Sequence, residues 1–177
     1  MRRAQRGDEE AFSALAYAMG DRLLTVAQRI LRDVDRAEDA TQLALIGIWQ
    51  QLPQLRDPSK FEGWAYRILV NACRSEGRRE RRWYPALRML PTEPVGRDPA
   101  LSVADRDQLE RAFRRLPIEH RSILVMQHYL GLTLEQVADQ LGVPLGTARS
   151  RSHYAKRSLR AALEADARPG RGQKGTA

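Results

Sequence analysis

The chain has 177 residues, a formal net charge of +8, one cysteine and three histidines. That length allows one ordinary domain or two small ones, and the charge favours a polyanionic partner. Cys73 alone makes no internal disulfide, and with His120, His128 and His153 it is too few for a Cys-rich zinc site, so no metal or cofactor is expected. Cys73 instead reads as a small buried apolar residue. No run approaches the roughly 18 apolar residues that span a bilayer, and the start MRRAQRGDEE lacks an apolar signal core. A cytoplasmic location is expected.

Asp8, Glu9 and Glu10 favour a helix start through the backbone dipole. Phe12, Leu15, Ala16, Met19, Leu23, Ala27, Ile30 and Leu31 then keep one helical stripe going, either as one amphipathic core helix or as two divided at Gly20-Asp21. Asp35 and Glu38 form a capping-box-like start for the next helix, AEDATQLALIGIWQQ. From Leu43 to Trp49 that helix is apolar almost all round, which a surface helix of a small bundle should not be. It is either the central helix of its domain or meets another protein on its outer face.

Pro53 ends that helix, and PQLRDPSK is expected to be a loop. A long helix follows with Phe61, Trp64, Ala65, Ile68, Leu69, Ala72 and Cys73 on its buried stripe. Arg67, Asn71, Arg74 and Arg78 recur at spacings of four, three and four on the other side, continued by Arg79, Arg81 and Arg82, with Tyr66 nearby. Residues 53–84 carry eight basic against four acidic side chains. Arginines beside aromatic rings suit a nucleic-acid strand, holding phosphates while bases stack or turn out; a solvated face is the plainer alternative.

Residues 85–100 hold Pro85, Pro91, Pro94, Pro99 and Gly96 and show no periodicity, which reads as a flexible linker. A second bundle is expected from 101 to 165. Leu109, Ala112, Phe113 and Leu116 line one helix; Ile123, Leu124, Gln127 and Leu130 line another, opened near Pro117 and stopped at Gly131. Thr133 and Gln136 then form a capping box, and Leu134, Val137, Ala138 and Leu141 a helical stripe. Gly142 and Pro144 punctuate a short turn into a last helix, free of acids from Pro144 to Arg160 and carrying Arg149, Arg151, Lys156, Arg157 and Arg160. A helix-turn-helix with its basic residues on the second helix points to the major groove of DNA. Residues 166–177 are expected to be a disordered tail. The fold class is therefore all-α: two small bundles on a Pro-rich tether, the second holding the helix-turn-helix.

Read together, GDEEAF, AEDATQ, FEGWAYRILVNACR and LPIEHRSILVMQHYLGLTLEQVADQLGVPLGTARSR resemble the extracytoplasmic-function (ECF) sigma factors of bacterial RNA polymerase over about residues 7–164. The resemblance implies that residues 1–84 bind the polymerase clamp and recognise and melt the minus-ten element, and that residues 101–165 recognise the minus-thirty-five element. Asp39, Gln42, Leu43 and Ile46 would dock on the clamp. Arg56, Asp57, Ser59 and Lys60 would form the loop that receives a flipped base, beside Tyr66, Arg67, Asn71, Arg74 and Arg78. Thr147, Arg149, Ser150, Arg151, His153, Tyr154 and Arg157 would read the minus-thirty-five element.

The implied partners are core RNA polymerase, promoter DNA and, as an optional third, an anti-sigma factor; the free chain would be a monomer. Leu43 stands where an acid is common in the family, Tyr154 where a base is frequent, and Ala148 and Ser152 where larger apolar residues pack the recognition helix. A different class, a stand-alone helix-turn-helix regulator, would bind a palindromic operator as a dimer. An enzyme is not expected, because no carboxylate cluster or nucleophile–base arrangement is present.

Overall fold

The structure, a computed structural model, describes residues 1–83 and 103–167. The expected linker at 85–100, and residues 168–177 of the expected tail, lie outside the described residues. All regular structure among the described residues is helical: α1 (Arg2–Gln5), α2 (Glu9–Leu31), α3 (Val34–Gln51), α4 (Phe61–Trp83), α5 (Val103–Arg115), α6 (Ile118–His128), α7 (Leu134–Leu141) and α8 (Leu145–Ala167), with 3-10 turns at Leu52–Gln54 and Pro58–Lys60.

The first bundle is built by α2, α3 and α4. Asp8 caps α2 by accepting from the Ala11 N–H at 2.8 Å, and also pairs with Arg3 at 2.8 Å. The helix then runs unbroken through Gly20 and Asp21, which settles for one helix rather than two. One glycine inside a helix costs only about 1 kcal/mol, and the buried run Leu23, Val26, Ala27 and Ile30 gives that helix a continuous apolar face to pack. The cap of α3 is Asp33, accepting from Arg36 N–H at 3.0 Å, rather than Asp35, which sits in the first turn. The start moves because Arg32 turns left-handed, at φ 58°, and so leaves Asp33 extended. Small residues of α3 (Ala37, Ala40, Ala44) let it approach α4 closely, with Ile48, Leu69 and Cys73 fully buried alongside. Burial pushes the Cys73 thiol up to about 12. Trp49 is half-buried and stacks obliquely on Phe12 with centroids 4.7 Å apart.

In the second bundle α8 packs on α5, α6 and α7. Gln108 donates to the Leu163 carbonyl at 3.0 Å. Asp166 pairs with Arg111 at 3.3 Å and Arg115 at 2.7 Å, which holds α8 helical two residues past the expected limit of 165. The two bundles also touch. α2 packs on α6, and α4 packs on both α6 and α7, so that buried residues of the two halves form one contiguous apolar cluster. Nothing in the periodicity of either half signalled that contact.

Candidate nucleic-acid interface

The helix-turn-helix forms as its local chemistry dictates. Gln136 N–H donates to Thr133 Oγ1 at 3.3 Å, and Thr133 N–H donates to Gln136 Oε1 at 2.8 Å. At the other end Gly142 is left-handed, Gly142 N–H reaches the Asp139 carbonyl and Val143 N–H the Ala138 carbonyl, the two bonds of a Schellman stop. Pro144 immediately precedes α8, and its carbonyl accepts from Thr147 and Ala148 N–H at 2.9 and 3.1 Å.

That start aims the first turns of α8 outward. Arg149, Ser150, His153, Tyr154 and Arg157 are exposed, and Thr147 is half-buried. Arg149 lies 3.9 Å from Glu135 of α7 across the surface. Arg151 is half-buried, and its charge acts on Arg74 of α4. On the inner side Ala148 and Ser152 are buried; Ser152 donates to Gln127 Oε1 at 2.5 Å, so the polar residue on the expected apolar stripe of α6 is the partner of the polar residue on α8. Ser152→Ala is expected to lower the unfolding free energy by about 1 kcal/mol, because a half-buried acceptor loses its donor. Adding Gln127→Leu is expected to restore most of that loss, and denaturant unfolding of the two variants compares them directly.

A second basic surface lies on α4 and the turn before it. Asp57 accepts from both Ser59 N–H and Ser59 Oγ, at 3.0 and 2.7 Å. These bonds hold its carboxyl below the usual range and close Pro58–Lys60 into a rigid 3-10 turn. Arg56, Asp57, Ser59 and Lys60 are exposed on it, as are Arg67, Asn71 and Arg78 on α4. Arg74 is half-buried; burial first, then the nearby Arg151 charge, disfavours its protonated form. Tyr66, expected near the arginine face as a minus-ten contact, is only 5% exposed, so its ring is not free to receive a base in this arrangement. Between this surface and α7 lies an open cleft of about 860 Å³, with Lys60, Arg67 and Trp64 on one wall and Tyr129, Gln136 and Asp139 on the other.

A third surface carries no basic residue. Asp39, Gln42, Leu43 and Ile46 share the outer face of α3, opposite Ala37, Ala40, Thr41, Ala44 and Ile48. Leu43 and Ile46 are 50% and 53% exposed. The apolar excess of this helix is therefore divided, half of it in the core and half offered to solvent beside an acid and an amide. Among the described residues no group of three His, Cys, Asp or Glu is placed to hold a metal ion, and no helix is long and apolar enough to cross a membrane.

The described residues thus combine an outward helix-turn-helix, a separate arginine helix and an exposed apolar–acidic face on α3. Residues 3–83 match the Sigma-70 region 2 family and residues 112–161 the Sigma-70 region 4 family. The chain is 31% identical to the ECF RNA polymerase sigma factor SigM of Mycobacterium tuberculosis, covering 86% of this chain and 77% of the relative. It is 29% identical to the RNA polymerase sigma-H factor of Pseudomonas aeruginosa, over 92% and 91% of the two chains. Among solved structures, the sigma factor RpoE from Bartonella quintana, in complex with the anti-sigma factor NepR, superposes with a TM-score of 0.68 at 22% identity, over 89% of this chain and 99% of that one. CnrH, in complex with the cytosolic domain of CnrY, superposes at 0.64 and 22%, over 93% and 95%. The chain belongs to the ECF sigma factors, transcription initiation factors of RNA polymerase.

Residues outside the sequence-based expectations are those that join the halves: Arg32, Glu110, Gly77 and Ile118. Their pairings cross from one bundle to the other, and only the left-handed Arg32 and the helical glycine mark them locally.

Proposed function

We propose that this chain directs promoter-specific initiation by binding core RNA polymerase through α3 and reading two promoter elements with α4 and α8. The outer face of α3, with Asp39, Gln42, Leu43 and Ile46, docks on the polymerase clamp. The Arg56–Lys60 turn and Arg67, Asn71, Arg74 and Arg78 engage the minus-ten element, with Tyr66 available once the halves separate. The outward turns of α8 read the minus-thirty-five element. Residues 1–84 and 101–165 thus act as separate reading heads joined by residues 85–100, in a cytoplasmic monomer. The observation that carries this reading is the coexistence of an exposed apolar–acidic face on α3 with an exposed, acid-free face on α8. The first suits a protein partner and the second a groove lined with phosphates. RpoE and CnrH are each described with a partner, in RpoE's case an anti-sigma factor, and a protein of that class is proposed to bind this chain as well.

Purified chain added to core RNA polymerase is expected to produce transcripts with defined starts on genomic fragments, mapped by sequencing their 5′ ends. Selection of duplex from a random pool tests the rival reading. Recovery of an inverted repeat by the isolated chain, with no defined starts in the presence of polymerase, would replace the sigma-factor function with that of a dimeric regulator.

A further inference from the structure

The segment that enters the Arg56–Lys60 turn is held by the first helix of the chain. Gln5, the last residue of α1, donates from Nε2 to the Leu55 carbonyl at 2.8 Å and, over a longer reach of 3.4 Å, to the Leu52 carbonyl. An amide nitrogen carries two N–H groups, so two carbonyls facing one glutamine use its full donor capacity. The two bonds span 47 and 50 positions of sequence.

The two carbonyls have different needs. Leu52 is fully buried, and its carbonyl also accepts from Leu55 N–H at 3.2 Å. At Leu55 the backbone becomes extended, with φ −70° and ψ 106°, and leaves the first 3-10 turn. Its carbonyl has no other hydrogen bond among the described residues, so Gln5 sets the direction in which the chain departs toward Arg56.

Beyond that point the segment is a closed unit. Asp57 accepts twice from Ser59, and Lys60 N–H donates to the Asp57 carbonyl at 3.1 Å. Phe61 then has helical dihedrals and continues into α4. A unit closed on itself and continuous with a long helix at one end has its tilt fixed at the other end, which is Leu55.

α1 serves as an anchor because it is itself pinned. Ala4 is only 1% exposed, Arg3 pairs with Asp8 at 2.8 Å, and Asp8 N–H donates to the Arg3 carbonyl at 3.2 Å. The same Asp8 carboxylate caps α2 at Ala11. A helix of four residues has no stability of its own, so these contacts are what place it.

We infer that α1 is a strut and Gln5 a positioning residue for the Arg56–Lys60 turn, holding Arg56, Ser59 and Lys60 at a fixed tilt before they meet the minus-ten element. The inference rests on the proposed promoter reading of that turn. A loop ordered in advance loses less freedom when it engages a strand, so loosening its entry slows strand opening and leaves the docking of α3 on polymerase unaffected.

In the full-length chain, Gln5→Glu removes the donor and sets a carboxylate against two carbonyls, while Gln5→Lys returns a donor to the same place. All three residues are good helix formers. Hydrogen exchange read by mass spectrometry reports on the strut itself. Peptides covering residues 52–60 are expected to exchange about fivefold faster in Gln5→Glu, the weight of one hydrogen bond, with Gln5→Lys close to the unsubstituted chain and peptides of α3 and α4 unchanged. Unaltered exchange at 52–60 would overturn the strut. The positioning role is read with core RNA polymerase on a promoter mapped by its transcript start and carrying 2-aminopurine in the minus-ten element. Gln5→Glu is expected to slow opening about fivefold, with unchanged affinity for polymerase and for the unopened promoter, and Gln5→Lys to restore the rate. A parallel loss of polymerase affinity would make Gln5 a residue of the fold alone and overturn the positioning role. Arg56→Ala with Lys60→Ala serves as the reference. If that pair slows opening and Gln5→Glu does not, despite faster exchange, positioning is overturned; if neither slows it, faster exchange supports the strut, and the minus-ten role of the turn is what fails.

Discussion

Replacing Asp39 by Lys together with Gln42→Ala and Ile46→Ala is expected to weaken binding to core RNA polymerase at least a hundredfold while leaving the thermal midpoint of the chain nearly unchanged. All three side chains are exposed on α3 and make no hydrogen bond or ion pair among the described residues, so their removal leaves no cavity and no buried orphan there. The core-facing side of the same helix, from Ala37 to Ile48, is untouched. Interfaces concentrate their energy in a few central residues worth about 2 kcal/mol or more each. Ile46 is aliphatic, half-exposed and next to Leu43, and is placed to be such a residue if the partner covers it. Reversal at Asp39 adds repulsion wherever the partner is basic, and much of that effect falls on the association rate. Fluorescence anisotropy of labelled chain titrated with core enzyme measures the loss, and circular dichroism on the same samples checks the fold. Unchanged affinity would remove α3 from the polymerase contact, even if the chain still started transcription.

Local chemistry made some elements legible from sequence and left others hidden. The helix-turn-helix could be read because each of its punctuation marks acts within a few residues: Thr133 with Gln136, Gly142 with Asp139, and the proline that closes the turn. The outer face of α3 was legible as an excess, since a helix apolar all round has more hydrophobic surface than a small bundle can bury. The start of α3 was misplaced by two residues because its cap depends on the left-handed turn at Arg32. That turn accompanies a pairing with Glu110, 78 positions away in the chain. Ser152 looked like a packing defect for a similar reason: its partner Gln127 lies on a different helix, and each residue alone appears to break an apolar stripe. The depth of Tyr66 on α4 was not legible, because burial depends on what packs over a helix and not on the helix's own periodicity.

The two ends of the exposed face of α8 are expected to act differently on DNA, and single substitutions separate them. Arg149 lies in the second turn of α8, exposed and 3.9 Å from Glu135. Arg157 lies eight residues further on, roughly 12 Å along the axis at about 1.5 Å per residue. In a helix-turn-helix the N-terminal turns of the second helix enter the major groove, while its later turns leave the base edges. Arg149→Ala is therefore expected to cost about 1–3 kcal/mol on the preferred element and to relax base preference at one position, with little change on altered sequences. Arg157→Ala is expected to weaken every duplex by a similar factor and to reduce the slope of log affinity against log salt by about 0.9, the contribution of one phosphate contact. Glu135 supplies an internal control: it is an exposed acid beside Arg149, so Glu135→Gln should tighten binding by removing a charge that repels phosphate, without changing which base is preferred. Affinities measured at several salt concentrations, with polymerase present and with each base of the selected element replaced in turn, give both the preference and the slope. A change of slope without a change of preference for Arg149→Ala would make it a phosphate contact and move the base-reading role to the neighbouring Ser150 and His153.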